Sequence, residues 1–273
     1  MRQPPSLARL LASAAVTAIL AASLGGCKTM SDITGSISSK AAAGPVSGPD
    51  ADPRRAVEVY GERYRANPRD ADAAFRYGQA LRATGQRAQA VAVFEQATIA
   101  HAGNKALLAG YGRALADNGN FQRAFDVLSR AHSPANPDWR ILSVQGTALD
   151  QLGRHHDARR YYASALQIAP EEPSVLSNLG LSYVLSKNLP KAEETLRRAY
   201  GSTRADARVR QNLALVVGLQ GRFAEAESIV KADLPAEEAA ANVDYLKQML
   251  ARKDSPRRGG PASVPVAALS RPD

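Results

Sequence analysis

Gly78, Gly112, Gly146 and Gly180 stand 34 residues apart, and the next step of the same length falls on Ala214. Twelve residues after each of these five positions lies an alanine: Ala90, Ala124, Ala158, Ala192 and Ala226. Four further on is a large side chain: Phe94, Leu128, Tyr162, Leu196 and Val230. Three further again come Ala97, Ala131, Ala165 and Ala199, and then Asp233, where the pattern breaks. Gly85, Gly119, Gly153 and Gly221 hold one loop position of the period, which Lys187 occupies in the fourth copy. A chain that repeats itself this way is built from one small unit stacked on itself, because a single unit cannot bury its apolar face alone. Small residues at fixed offsets let two antiparallel helices approach closely, and the large residue fills the space beside them. The loop glycine ends the first helix of each pair and supplies a left-handed turn into the second.

Period and residue pattern together resemble the tetratricopeptide repeat. The resemblance implies an all-α fold: a tetratricopeptide-repeat solenoid of antiparallel helical hairpins with N- and C-terminal capping helices. Five repeats are expected at about 71–104, 105–138, 139–172, 173–206 and 207–236, within a domain spanning 52–252. Ahead of them, Ala56, Tyr60 and Pro68 keep the register of a second helix whose partner is missing, so 52–66 reads as a lone helix closing that end. Residues 237–252 are amphipathic and close the other end, with Pro235 near the start, where proline is tolerated.

The first 26 residues have a different character. Arg2 and Arg9 precede an apolar run from Leu10 to Leu24, too short for a comfortable membrane span, which needs about 20 residues. The run ends in Leu24-Gly25-Gly26-Cys27, and Cys27 is the sole cysteine of the chain. This arrangement resembles the lipobox of bacterial lipoprotein precursors. The resemblance implies a signal peptide over 1–26, cleavage before Cys27, and acylation of Cys27 as the membrane anchor. Lys28 follows where an aspartate would signal inner-membrane retention in enteric bacteria, so the expected location is the periplasmic face of the outer membrane. Residues 27–51 are rich in serine, glycine, alanine and proline and read as a flexible tether. Residues 253–273 read as a disordered basic tail.

Composition supports helices and argues against several functions. Aromatic residues make up only 5% of the chain, few for a strand-rich domain. The formal charge is +9, of which the leader carries +2 and the tail beyond Ala251 carries +3. The remaining +4 over residues 27–251 is interleaved with acids, unlike a nucleic-acid-binding surface. One cysteine makes neither an internal disulfide nor a cysteine zinc site. Gly110-Tyr111-Gly112 is not a phosphate loop, since no strand precedes it and Gly112 belongs to the repeat pattern. His155 and His156 read as solvated loop histidines without a third ligand, and His101 and His132 join no motif. Neither a catalytic site, a metal nor a cofactor is expected.

In tetratricopeptide arrays the first helices line the inner surface, and positions 2, 5, 9, 12 and 13 of each repeat usually face the groove. Here a peptide-binding groove is expected from Asp72, Phe75, Gln79 and Arg82; Arg113 and Asp117; Arg140, Ser143, Thr147, Asp150 and Gln151; Ser177 and Leu181; and Arg208, Gln211 and Leu215. Asn178 and Asn212 occupy equivalent positions, where a carboxamide either grips an extended peptide or bonds locally. The set is mixed in charge and lacks the basic residues of the two-carboxylate clamp used by some chaperone-binding repeats.

The segments SNLGLSYVLSKNLPKAEETLRRA (177–199) and AEEAAANVDYLKQML (236–250) carry a closer likeness. From residue 52 onward, and in its lipobox, the chain resembles the TadD family, the lipoproteins of the tight-adherence (Tad/Flp) pilus assembly system. That resemblance implies a non-enzymatic assembly factor that binds a protein partner, the outer-membrane secretin or another pilus component, in the manner of a pilotin. The competing expectation is a general envelope scaffold for outer-membrane protein assembly or cell-wall remodelling.

Overall fold

The computed structural model describes residues 52–133 and 135–254. The leader, Cys27, the 27–51 tether and the tail from residue 255 lie outside the described residues. Among the described residues the fold is all helical, with an isolated bridge between Ser133 and Asn136 as its one strand-like pairing. The order is α1 (Pro53–Ala66), α2 (Ala71–Ala83), α3 (Arg87–Ala100), α4 (Lys105–Asp117), α5 (Phe121–Ala131), α6 (Trp139–Gln151), α7 (His155–Ile168), α8 (Pro173–Leu185), α9 (Leu189–Tyr200), α10 (Ala207–Leu219), α11 (Phe223–Val230) and α12 (Ala236–Asp254). No helix among the described residues is long and apolar enough to cross a membrane. The last helix runs two residues further than its amphipathic pattern suggested, through Asp254.

Four of the five hairpins start with a side-chain cap. Asp70, Asn104, Asp138 and Asp206 precede α2, α4, α6 and α10, and each accepts a hydrogen bond from a backbone N–H of the first turn. Such bonds satisfy donors that the helix itself leaves free. Glu172 holds the position before α8 without a side-chain cap, and Pro173 opens that helix instead.

The turn inside each hairpin is equally regular. Gly153 has φ of 77°, a backbone conformation open to glycine at no steric cost, and Arg154 N–H donates back to Leu149 C=O across the helix end. The fourth hairpin makes the same closing bond from Asn188 to Tyr183, yet Lys187 adopts φ of 61° to allow it. Stacking has overridden local preference there.

Within a hairpin the large residue lies directly on the small one. A β-carbon on Gly78 would fall 2.5 Å from Phe94, on Gly112 2.4 Å from Leu128, on Gly146 2.6 Å from Tyr162 and on Gly180 2.5 Å from Leu196. Phe94, Leu128, Tyr162 and Leu196 are all fully buried. Between hairpins, α2, α4, α6, α8 and α10 touch one another in succession, forming one continuous inner layer, and α12 closes it against α10 and α11. Leu246 of α12 covers Gly218. At the other end α1 packs on α2 through Ala56, Tyr60 and Ala80. The fifth hairpin is cut short: α11 ends at Val230, and Asp233, at the position of the broken alanine pattern, pairs with Arg210 of α10.

Candidate functional site

The residues expected to line a groove separate into two groups. Those of α6, α8 and α10 are largely engaged inside the stack. Asn178 Nδ2 donates to Ser143 Oγ at 3.1 Å, and Asn212 Nδ2 donates to Ser177 Oγ at 2.8 Å. Both bonds join consecutive repeats, and Ser143, Ser177 and Asn212 are buried. The asparagines thus act as rungs between hairpins. Asp150 is also buried; it accepts from Ser182 Oγ at 2.8 Å and Tyr162 OH at 3.0 Å, and lies 2.9 Å from His155 Nδ1. Thr147 is buried beside it and bonds the Ser143 carbonyl and Tyr162. Burial pushes the Asp150 carboxyl up, and burial likewise pushes the Tyr162 hydroxyl well above its ordinary range. His155 is therefore half-buried on a carboxylate, which corrects the expectation of two solvated histidines; His156 is exposed. The cluster has a serine, a histidine and an aspartate, but Ser182 donates to Asp150 and not to His155, so it lacks the serine–histidine contact of a nucleophilic triad.

Gln79 and Gln211 are exposed, while Gln151, Leu181, Arg208 and Leu215 are half-buried along the same face. Arg208 lies 3.4 Å from Asp206. Among the described residues no group of histidines and acids has the arrangement of a metal site.

The second group gathers at one place. Phe75 of α2, Arg113 of α4 and Arg140 of α6 line a cavity of about 470 Å³ on the inner layer. Its remaining wall comes from Lys105, Ala106 and Ala109 of α4, from Trp139 and Ile141 of α6, and from Ala131, His132 and the 136–138 connector. Beside it Arg82 binds Asp117 at 2.6 Å, with both side chains largely buried. Phe75 is held edge-on by Phe94 with ring centres 6.2 Å apart, and the Arg140 guanidinium stacks on Trp139 at 4.5 Å. Asp138 is engaged as the cap of α6.

Arg113 differs from its neighbours. Its Nε is sealed from solvent and has no hydrogen-bond partner. Burial first, and then the adjacent charges of Arg82 and Arg140, hold its guanidinium down to about 10. His132 Nδ1 is likewise buried without a partner, while its Nε2 lies 3.1 Å from Gln145 Oε1. The cavity exists because α5 stops at Ala131 and an irregular connector replaces the direct turn into α6. Repeat spacing alone gave no sign of this, since the connector preserves the 34-residue register. Trp139 (the single tryptophan) and the two prolines of Ser133–Pro137 were the available signals.

Comparison with known proteins supports the fold. Residues 78–138 and 144–208 match the family model of the tetratricopeptide repeat. No curated protein sequence matches the chain. Among solved structures, PilW, described as a widely conserved type IV pilus biogenesis factor, shares 17% identity at a TM-score of 0.61, over 71% of this chain and 91% of PilW. The pilF protein of Pseudomonas aeruginosa shares 15% identity at a TM-score of 0.55, over 72% of this chain and 90% of its own. A chain of the Cut9–Hcn1 hetero-tetramer of the APC/C matches at a TM-score of 0.61 with 16% identity over 75% of this chain, which spans only 40% of that larger one. At such identities the likeness is one of fold. By its repeat matches and by the stacking of its hairpins, the fold is a tetratricopeptide-repeat solenoid.

Proposed function

We propose that this protein is a lipid-anchored, non-enzymatic scaffold of tight-adherence pilus assembly, held at the periplasmic face of the outer membrane and acting on the secretin as a pilotin does. The observation that carries a binding role is the inner-layer cavity, where cationic and aromatic side chains converge with an arginine Nε left unpartnered. Tetratricopeptide solenoids bind protein partners, and the inner layer offers one rigid surface running from α2 to α10. The assignment to pilus assembly rests on the TadD-like segments, which map onto α8–α9 and α12. PilW is itself described as a pilus biogenesis factor, so a solenoid of this size is known to serve that process in another protein. Acylation at Cys27 fixes the location, the tether gives reach, and confinement to one membrane raises the effective concentration of the partner.

The test compares wild type, Cys27→Ser and a deletion strain by the amount of heat-resistant secretin multimer in the outer-membrane fraction. Loss of multimers in the deletion, and diminished or mislocalised multimers in Cys27→Ser, is the expected result. Normal multimers in all three would remove the pilotin role and favour a general envelope scaffold.

A further inference from the structure

The cavity between α2, α4 and α6 has a chemistry of its own. Lys105, Arg113 and Arg140 line it, Arg82 adds its charge near Arg113, and the nearby acids are both engaged: Asp117 with Arg82, and Asp138 as a helix cap. The positive charge is therefore only partly compensated. Two polar atoms at the wall, Arg113 Nε and His132 Nδ1, are buried with no hydrogen-bond partner. Buried polar groups are nearly always paired, so an orphaned donor beside a cavity marks a place where a ligand can complete the bonding. The Gln145 carbonyl oxygen faces His132 Nε2, which places the hydrogen of the neutral ring on Nε2 and leaves Nδ1 a lone pair. Arg113 is then the group that calls for an anion. Phe75, Ala106, Ala109, Trp139 and Ile141 supply apolar wall beside it.

We infer that this cavity takes the side-chain carboxylate of a glutamate within a partner's peptide segment, received by the Arg113 guanidinium, with an adjacent aromatic residue of the segment resting on Phe75 and Trp139. The inference rests on the protein-binding reading of the inner layer and names its ligand. The anion is carried on a side chain because Arg113 is largely buried: a glutamate stem reaches it while the backbone stays in the groove, whereas a chain terminus must bring its whole last residue inside. Guanidinium and carboxylate match as a charge-assisted pair. About 470 Å³ accommodates one such side chain and part of its neighbour.

The test uses the ¹⁵N-labelled full-length chain in non-ionic detergent, with three small probes: acetyl-Glu-Phe-amide, acetyl-Gln-Phe-amide and acetyl-Ala-Phe carrying a free carboxylate. The Arg113 Nε–H cross-peak is assigned by its loss in Arg113→Met, and the Trp139 indole reports the rim. The glutamyl probe is expected to move both signals saturably, and the glutaminyl probe to leave the Nε–H in place. In Arg113→Met the glutamyl probe, followed at Trp139, binds at least tenfold more weakly. That variant is also expected to unfold at a higher temperature than wild type, because it removes a largely buried cation whose Nε has no hydrogen-bond partner and keeps the side-chain volume. Equal response to the glutaminyl probe, response to the free-terminus probe alone, or no movement with any probe overturns the inference. A lower unfolding temperature for Arg113→Met also overturns it, by assigning Arg113 a purely structural role. The secretin-multimer assay reads the assembly role independently, so failure of either conclusion is separable from failure of the other.

Discussion

The Phe94 ring lies against the backbone of Gly78, so closely that a β-carbon there would sit 2.5 Å from its Cε2. The opposite edge of the same ring faces Gly110 of the next hairpin, where a β-carbon would come within 2.4 Å. Phe94 thus fastens a hairpin to itself and to its successor. Overpacking a rigid core costs about 1–3 kcal/mol, and each of Gly78→Ala and Gly110→Ala is expected to lose that much in denaturant unfolding. The fifth repeat pairs Ala214 with the smaller Val230 at the Gly78 and Phe94 positions. Gly78→Ala combined with Phe94→Val is therefore expected to cost at least about 0.5 kcal/mol less than the sum of the single changes. Strict additivity would show that the two positions do not share one space.

Lys187 holds a left-handed backbone, φ 61°, at a position where the other four repeats have glycine. A β-carbon in that region costs about 1 kcal/mol. Lys187→Gly is expected to stabilise the protein by up to that amount. At Gly153 a β-carbon would meet nothing within 4 Å, so Gly153→Ala isolates the backbone term and is expected to lose a similar amount. Thermal unfolding of the two variants decides this, and a destabilised Lys187→Gly would refute it.

Glu193 joins the last two hairpins. It accepts from Arg222, from Gln220 Nε2 at 2.8 Å and from Arg197 Nε at 2.8 Å, while both arginines also reach Glu225. Hydrogen bonding from Arg222 is the main cause holding the Glu193 carboxyl at about 2. A carboxylate depressed in the folded state stabilises above its unfolded value, and that stability fades as pH falls toward the folded one. The window is pH 4.5 down to about 2. Glu193→Gln is expected to flatten acid unfolding across that window. At neutral pH it should cost about 1 kcal/mol, a modest figure because the arginines are well exposed to solvent. An unchanged acid limb would show that the network adds nothing.

Asp150 is the hub of the interior polar cluster, serving Ser182, Tyr162 and His155. Asp150→Ala orphans all three groups and is expected to cost about 2–4 kcal/mol, whereas Ser182→Ala removes one donor and should cost about 1–2 kcal/mol. Neither change is expected to alter binding in the Arg113 cavity, which draws only on the first turn of α6, whereas Asp150 stands near the other end of that helix. Urea unfolding beside titration with acetyl-Glu-Phe-amide checks both statements together.

Much of the fold was written in the period. The 34-residue spacing of Gly78, Gly112, Gly146 and Gly180 dictated close-packed helical hairpins, because glycine and a large residue sixteen positions later are complementary only when two helices lie side by side. Loop glycines dictated the turns for the same local, steric reason. Groove positions were only partly legible, since a repeat register states which residues share a face but not which of them a neighbouring repeat will engage. Asn178 and Asn212 read as groups either for a peptide or for local bonding, and the stack engages them with Ser143 and Ser177. Arg113 was one groove candidate among eighteen until tertiary structure left its Nε unpaired while Arg82 found Asp117 and Arg140 found Trp139. Sequence by itself determined what the chain repeats, because close packing within a hairpin depends on residues at fixed offsets. Only the tertiary structure decided which donor is left unsatisfied, because that is defined by partners that come from other repeats and from a connector that no period describes.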